Sequence, residues 1–275
     1  MNEENSRLEE NPNPTAQSET EWQAPPLPEQ INAEDTTPQM SEVGTLGSIF
    51  FEPGKTFEDL RRKPRFLLAG LIIIIATSLF QIALIEKIGF ERMIREQIES
   101  NSRVQQMSSE DKQKLIEQRI QPYVKYITYG STPLVMLIVI LLGGLIYWLG
   151  ANAMGGDSRF PHGISTWVYS SLPPTVIFVL ANLLVLFLKS VDDIDLANSQ
   201  SGLVHANPSF FIDGKTSPVL AALLGTFDFF SIWGWILAAI GLQKLAKISA
   251  GAAWAIVLIV ALVVVAFRVV AALFT

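Results

Sequence analysis

The sequence contains no cysteine and only two histidines, His162 and His205, which lie far apart along the chain. Without cysteine the protein cannot form disulfides, thiolate metal sites or a cysteine nucleophile. Two distant histidines also argue against a histidine-rich metal site. The motifs H-E-x-x-H, G-x-S-x-G and G-x-x-x-x-G-K-[ST] are absent as well. We therefore predict a protein that is not an enzyme and holds no cofactor or metal, and we expect no nucleic-acid partner.

Charged residues are also rare in five long stretches, with none in the first three and one each, Asp228 and Arg268, in the last two. These stretches decide the class of protein. Apolar residues make up 49% of the chain and are concentrated in blocks of about 20 residues. A helix of that length matches the hydrocarbon thickness of a bilayer. The sequence therefore predicts an all-α polytopic membrane protein, a bundle of five transmembrane helices with a helical outer loop and a disordered N-terminal tail. The predicted spans are about 66–85, 133–152, 165–188, 223–242 and 250–274.

Residues 1–43 have the opposite composition. They contain six prolines and ten acidic residues against one basic residue, Arg7. Such a segment buries too little apolar surface to offset the entropy of ordering it. We predict a disordered, acidic, proline-rich tail over 1–43, followed by a membrane domain over 44–275.

Basic residues near the ends of the spans predict the orientation. Four of them precede the first span, and Lys244 and Lys247 lie in the short turn between the fourth and fifth spans. This pattern predicts a cytoplasmic N-terminus. The loop 86–132 disagrees, because it carries eight basic residues and would lie outside.

The loop 86–132 also shows helical periodicity. Leu115, Ile116 and Ile120 recur at helical spacing, and Ser108 followed by Asp111 fits a capping box. We expect a charged helical hairpin that rests on the outer membrane surface or extends the spans. The alternative is a solvated, coiled connector.

The segment before the first span combines aromatic and basic residues. Thr56-x-x-Asp59 fits a cap for a helix that begins at Phe57. We predict an interfacial helix whose rings lie at headgroup depth and whose cations contact anionic lipid, at roughly 1 kcal/mol each. A topology signal alone is the competing explanation. The cations are Arg61, Arg62, Lys63 and Arg65.

Three polar residues lie within or near predicted spans. Helical rise places Asp228 and Arg268 at similar depth on the fourth and fifth spans, which predicts an ion pair near the outer face. The alternative is that each side chain reaches the interface independently. Asn182, in the third span, is an intramembrane polar site that either bonds a neighbouring helix or lines a solute path.

Three stretches carry a family resemblance. Phe51-Glu52-Pro53, followed by Phe57 and Pro64, resembles the start of the Yip domain family. These are five-span membrane proteins named for Ypt/Rab-interacting members, with many bacterial relatives. The resemblance continues in 152–174 and 227–249, and the charged loop 86–132 and acidic tail are similar to those of the bacterial branch. It implies a five-span fold in a bacterial inner membrane and, for bacterial members, no established biochemical activity.

The function predicted from these features is a membrane-organising or adaptor role. The expected partners are the lipid bilayer and other membrane proteins, or a second copy of the chain. The competing class is a transporter or channel component, which the two prolines of the third span, Pro173 and Pro174, would suit. An intramembrane hydrolase has the least support.

Overall fold

The computed structural model describes residues 37–99, 101–194, 202–204, 206–212 and 216–272. Within these ranges the regular structure is helical and contains no strand, which confirms the all-α prediction. The α-helices in chain order are α1 (Glu42–Phe51), α2 (Pro53–Arg62), α3 (Leu67–Ile88), α4 (Phe90–Glu99), α5 (Ser102–Gln105), α6 (Ser109–Arg119), α7 (Pro122–Ala153), α8 (Phe160–Leu188), α9 (Pro218–Leu224), α10 (Phe229–Ala246) and α11 (Ala250–Ala272).

Five of these helices, α3, α7, α8, α10 and α11, are long and apolar enough to cross a membrane. They confirm the five predicted spans and make the chain an integral membrane protein. The fourth span begins at Phe229 rather than near 223, because Asp228 caps it and Gly225 follows the short helix α9. The predicted fifth span ended at 274, and residues 273–275 lie outside the described ranges.

The second span is longer than predicted. Helix α7 has 32 residues, about 48 Å at 1.5 Å per residue, whereas roughly 20 residues suffice for a bilayer. Pro122 occupies its first turn, where a missing amide costs little, and Pro133 lies inside it. Helix α8 likewise continues through Pro173 and Pro174 without interruption. Neighbouring helices that pack around such prolines explain why they are tolerated within a span.

The tail predicted over 1–43 overlaps the first helix by two residues. Ser41 caps α1, which begins at Glu42. The disorder predicted for residues 1–36 falls outside the described residues. The helix predicted to begin at Phe57 begins four residues earlier, with Pro53 in its first turn.

The loop between the first two spans forms the predicted helical hairpin. Helix α4 packs against α6, and Ile98 and Ile116 are buried between them. The Ser108 hydroxyl oxygen accepts the Asp111 amide (3.1 Å), which confirms the predicted cap. Gly89, with φ of 94°, separates this hairpin from the end of α3.

Helix α8 is the centre of the bundle and contacts α3, α7 and α10. The crossing with α7 depends on glycine. A Cβ on Gly163 would lie 2.2 Å from the Gly144 oxygen, and one on Gly143 would lie 2.0 Å from the Trp167 ring. Helices α7 and α8 therefore approach closely at Gly143 and Gly144, as small residues allow in membrane helices.

Candidate functional site

One end of the bundle, here called the α2 end, gathers elements that are distant in sequence. It comprises α1, α2, the turn from α7 to α8 and the turn from α10 to α11. The Asp157 amide donates to the Ala246 oxygen (3.1 Å), which joins the two turns. Lys244 and Glu58 form an ion pair (2.5 Å), which joins α10 to α2. The α2 end is therefore held by the chain's own long-range contacts.

A buried ion pair between Asp59 and Arg65 lies at the centre of this end. Their side chains are 2% and 12% exposed, respectively. The other Asp59 oxygen accepts the amides of Gln39 and Met40, and Arg65 Nη1 donates to the Met40 oxygen (2.7 Å). We call these four residues the latch, because they fasten the segment before α1 to the end of α2.

A second contact fixes α1 on the bundle. The Thr45 and Tyr169 hydroxyls are 3.1 Å apart, and both residues are buried. Two hydroxyls in an apolar core satisfy one another and thereby avoid the cost of unpaired polar groups. Helix α1 is consequently packed against α8 through a specific bond as well as through apolar side chains.

The latch corrects the predicted role of three residues. Arg65, predicted to contact lipid headgroups, is buried against Asp59 instead. Thr56 does not cap a helix, because it lies within α2 and its hydroxyl donates to the Glu52 oxygen (3.1 Å). Phe57, predicted to lie at headgroup depth, is fully buried near Gly241. The segment is therefore part of the folded core rather than a peripheral interfacial helix.

The other three predicted headgroup residues remain accessible. Arg61 and Arg62 are partly exposed and Lys63 is exposed. None of the three forms an ion pair within the part of the chain that the structure describes. His162 bonds the main-chain oxygen of Arg61 (3.1 Å), so the position of this residue is fixed without its guanidinium.

Asn182 is fully buried, and its partners are not on a neighbouring span. Its side-chain oxygen accepts the amides of Leu203 and Val204, and its nitrogen donates to the Phe178 oxygen (2.8 Å) in its own helix. Leu203 packs with Leu84 and other apolar residues at the ends of α3 and α8. Asn182 thus holds a loop segment against the bundle.

The predicted ion pair between Asp228 and Arg268 is wrong. Asp228 caps α10 by accepting the Phe230 amide (2.9 Å), and Arg268 donates to the Gly225 oxygen (3.3 Å). The segment around Asp228 and the end of α11 do lie close together, because Arg268 reaches Gly225. Each side chain, however, forms a hydrogen bond with a main-chain group and not with the other side chain. The arrangement is closer to the alternative of two independent residues.

Potential metal ligands lie apart from one another in the part of the chain that the structure describes. Across the described ranges, no group of three or more histidine, aspartate and glutamate residues is placed to hold a metal ion. His205 lies outside these ranges. His162 has its two ring nitrogens engaged with the main chain of Arg61 and Arg159.

The latch was not predicted from the sequence, because the pattern Thr56-x-x-Asp59 predicted that Asp59 belongs to a helix cap. A usable signal was present: Pro64 ends the helical continuity, so Asp59 and Arg65, six residues apart, can meet across a turn. Gln39 and Met40 bond through main-chain atoms, so their residue types do not indicate these contacts.

Comparison with known proteins agrees with this architecture. The Yip1 domain model matches residues 47–273, a range that contains Asp59, Arg65 and all five spans. The chain is also 26% identical over 228 residues to the membrane protein YknW of Bacillus subtilis (strain 168), covering 82% of this chain and 88% of that protein. No solved structure matches the chain. The resemblance inferred from the motifs is thus confirmed, and the chain belongs to the Yip1 domain family.

Proposed function

We propose that this protein is a non-enzymatic membrane adaptor. Its five spans would hold the α2 end and the α4–α6 hairpin at opposite membrane surfaces, where each could contact other membrane proteins. The α2 end would face the cytoplasm of a bacterial cell, as the basic residues before α3 predict. The chemistry of this role is binding and positioning, with no covalent step.

The bonding of Asn182 is the observation that carries this proposal. A polar residue deep in a span is by default a functional hypothesis, and a solute path would need its amide to face water. Here the amide is 0% exposed and bonds Leu203, Val204 and Phe178. Ser170, another polar residue of α8, is buried and its hydroxyl donates to the Trp167 oxygen (3.0 Å). These polar groups stabilise the packing of the bundle.

The latch supports the same role. It fixes Gln39 and Met40 on the bundle through Asp59 and Arg65. The described residues that follow the acidic N-terminal segment are therefore fixed on the membrane domain. An adaptor gains from such an arrangement, because a tethered segment binds partners at a high effective concentration.

Crosslinking and affinity capture from native membranes would test the adaptor role. We would compare the full-length protein with a variant lacking residues 1–36, which leaves the latch intact, and identify captured proteins by mass spectrometry. The adaptor role predicts reproducible protein partners, and partners lost on truncation would be those of the N-terminal segment. A variant carrying Asn182→Leu serves as the control and should retain the partners.

Flux measurements on the purified protein in liposomes would distinguish the competing transporter. A transporter would move a solute across the bilayer in the absence of any partner, and Asn182→Leu would abolish that movement. Solute flux that requires Asn182, together with no captured protein, would overturn the adaptor proposal.

A further inference from the structure

The ion pairs around α2 neutralise all of its acidic side chains but only some of its basic ones. Around this helix the sequence mixes acidic and basic residues, so its net charge is small. Each acidic side chain is already paired: Glu52 with Lys55, Glu58 with Lys244, and Asp59 with Arg65. The cations at the C-terminal end of the helix are left uncompensated.

Those uncompensated cations lie beside a fourth. His162 Nδ1 accepts the Arg159 amide (3.0 Å), and its Nε2 bonds the Arg61 main-chain oxygen (3.1 Å). Since a carbonyl oxygen only accepts, Nε2 carries the proton. One imidazole ring therefore spans the main chains of Arg61 and Arg159. The cationic patch, as we define it, consists of Arg61, Arg62, Lys63 and Arg159.

Accessibility and charge make this patch available to an anion. Lys63 and Arg159 are exposed, and Arg61 and Arg62 are partly exposed. The acidic residue nearest to Arg159 in sequence is Asp157, which is also exposed. One carboxylate beside four cations leaves the patch with a net positive charge.

Exposed apolar side chains follow the patch along the chain. Leu67, the first residue of α3, is 76% exposed, and Leu71, one turn later, is 52% exposed. A stretch with exposed cations next to exposed apolar side chains is typical of the membrane interface. There the apolar side chains contact lipid acyl chains and the cations contact headgroups.

We propose that the cationic patch binds the phosphate of an anionic phospholipid headgroup. Arginine guanidinium groups match phosphate oxygens with paired donors, and Lys63 adds a point charge. The inference rests on the proposed adaptor function and gives it a lipid partner. The patch would place the α2 end in membrane regions that are rich in anionic lipid.

A titration of the purified full-length protein in neutral detergent tests the site without any protein partner. The ligands are dioctanoyl phosphatidylglycerol, dioctanoyl phosphatidylcholine and a poly-glutamate peptide, and the readout is the dissociation constant of each. We expect tighter binding of the anionic lipid and a loss of that preference at high salt.

Two triple variants test whether phosphatidylglycerol binding depends on the cationic patch. Arg61→Gln, Arg62→Gln and Lys63→Gln together should weaken phosphatidylglycerol binding by about a hundredfold, at about fivefold per cation. The matched control, with Lys112→Gln, Lys114→Gln and Arg119→Gln on α6, removes the same charge from the hairpin and should bind normally. The side-chain changes preserve the main-chain oxygen of residue 61 that His162 bonds.

Folding is monitored separately through the unfolding temperature of each variant. A variant with Arg61→Lys and Arg62→Lys retains the charges and should retain most of the lipid preference. Equal affinity for the two lipids, or equal loss in both triple variants, would overturn the proposal. Tighter binding of poly-glutamate than of phosphatidylglycerol would also overturn it, in favour of an acidic protein ligand. Since no partner protein is present, these failures are separate from a failure of the adaptor role.

Discussion

Asp59 and Glu58 are adjacent carboxylates with very different surroundings. Asp59 is buried against Arg65, whereas the ion pair of Glu58 with Lys244 is about half exposed on both sides. An exposed pair contributes little because water screens it, but removing one partner of a buried pair leaves an unpaired charge in a medium of low dielectric. The two residues therefore offer a direct comparison of the two situations.

We predict that Asp59→Asn lowers the free energy of unfolding by about 3 to 5 kcal/mol, because Arg65 would remain buried without a counter-charge. Glu58→Gln, the matched control, should cost less than about 1 kcal/mol. Chemical unfolding of both variants in the same detergent provides the measurement. Equal losses for the two would show that the latch stabilises no more than a surface pair.

At Asn182, we predict that Asn182→Leu costs about 1 to 3 kcal/mol, since the amides of Leu203 and Val204 would lose their acceptor. Hydrogen exchange should accelerate at residues 203 and 204 and remain unchanged in α3. Unchanged exchange at these two amides would contradict the structural role assigned to Asn182.

At the scale of the helical element, the crossing of α7 and α8 depends on the absence of side-chain atoms. A Cβ on Gly163 would meet main-chain and Cβ atoms of α7, which cannot rotate away. We predict that Gly163→Ala forces the two helices apart and destabilises the protein by about 1 to 3 kcal/mol, an effect of overpacking. Thermal unfolding measures it.

The control for this prediction is Gly130→Ala, at a position of α7 where an added Cβ meets nothing within 4 Å. Alanine favours helix over glycine by up to about 1 kcal/mol, so this variant should be neutral or slightly more stable. Destabilisation of similar size in both variants would contradict the role assigned to the crossing, because helix propensity alone favours alanine at both positions.

The end of α10 carries a residue in an unfavourable conformation. Lys247, at the C-cap, has φ of 55°, a left-handed backbone that glycine adopts without strain. We predict that Lys247→Gly raises the free energy of unfolding by about 1 kcal/mol. Lys247→Ala distinguishes the effect of the side-chain charge from that of the backbone strain, because alanine removes the charge and retains the strain. An equal gain from both variants would assign the effect to charge.

Elements with their own periodic or capping signals were predicted correctly from the sequence. The five spans follow from apolar length, and the start of α6 follows from Ser108 and Asp111. Helix α1 escaped prediction because its contact with the bundle, Thr45 with Tyr169, joins residues more than a hundred positions apart. The latch escaped prediction because three of its hydrogen bonds use main-chain atoms of Gln39 and Met40. A local capping rule assigned Asp59 to Thr56, but two amides of a distant segment bind it instead.

At the scale of the whole molecule, the absence of cysteine simplifies a test of orientation. Any introduced cysteine is the sole thiol of the chain. We predict that Lys63→Cys at the α2 end reacts with a membrane-impermeant maleimide only after the cells are permeabilised. Lys114→Cys in the hairpin should react in intact cells, since an odd number of spans separates the two positions. The reverse pattern would invert the proposed orientation.

The length of α7 determines how far each of its ends would move if the helix tilted about its crossing with α8. The helix crosses α8 near Gly144, about 33 Å from its start at Pro122 and about 14 Å from its end at Ala153. A rod pivoting at that crossing is a lever with arms in a ratio of more than two to one. A sideways displacement of the hairpin would therefore reach the turn beside the cationic patch reversed in direction and reduced to less than half. Pro133, which lacks an amide hydrogen bond, lies on the long arm and is the point at which this lever would bend.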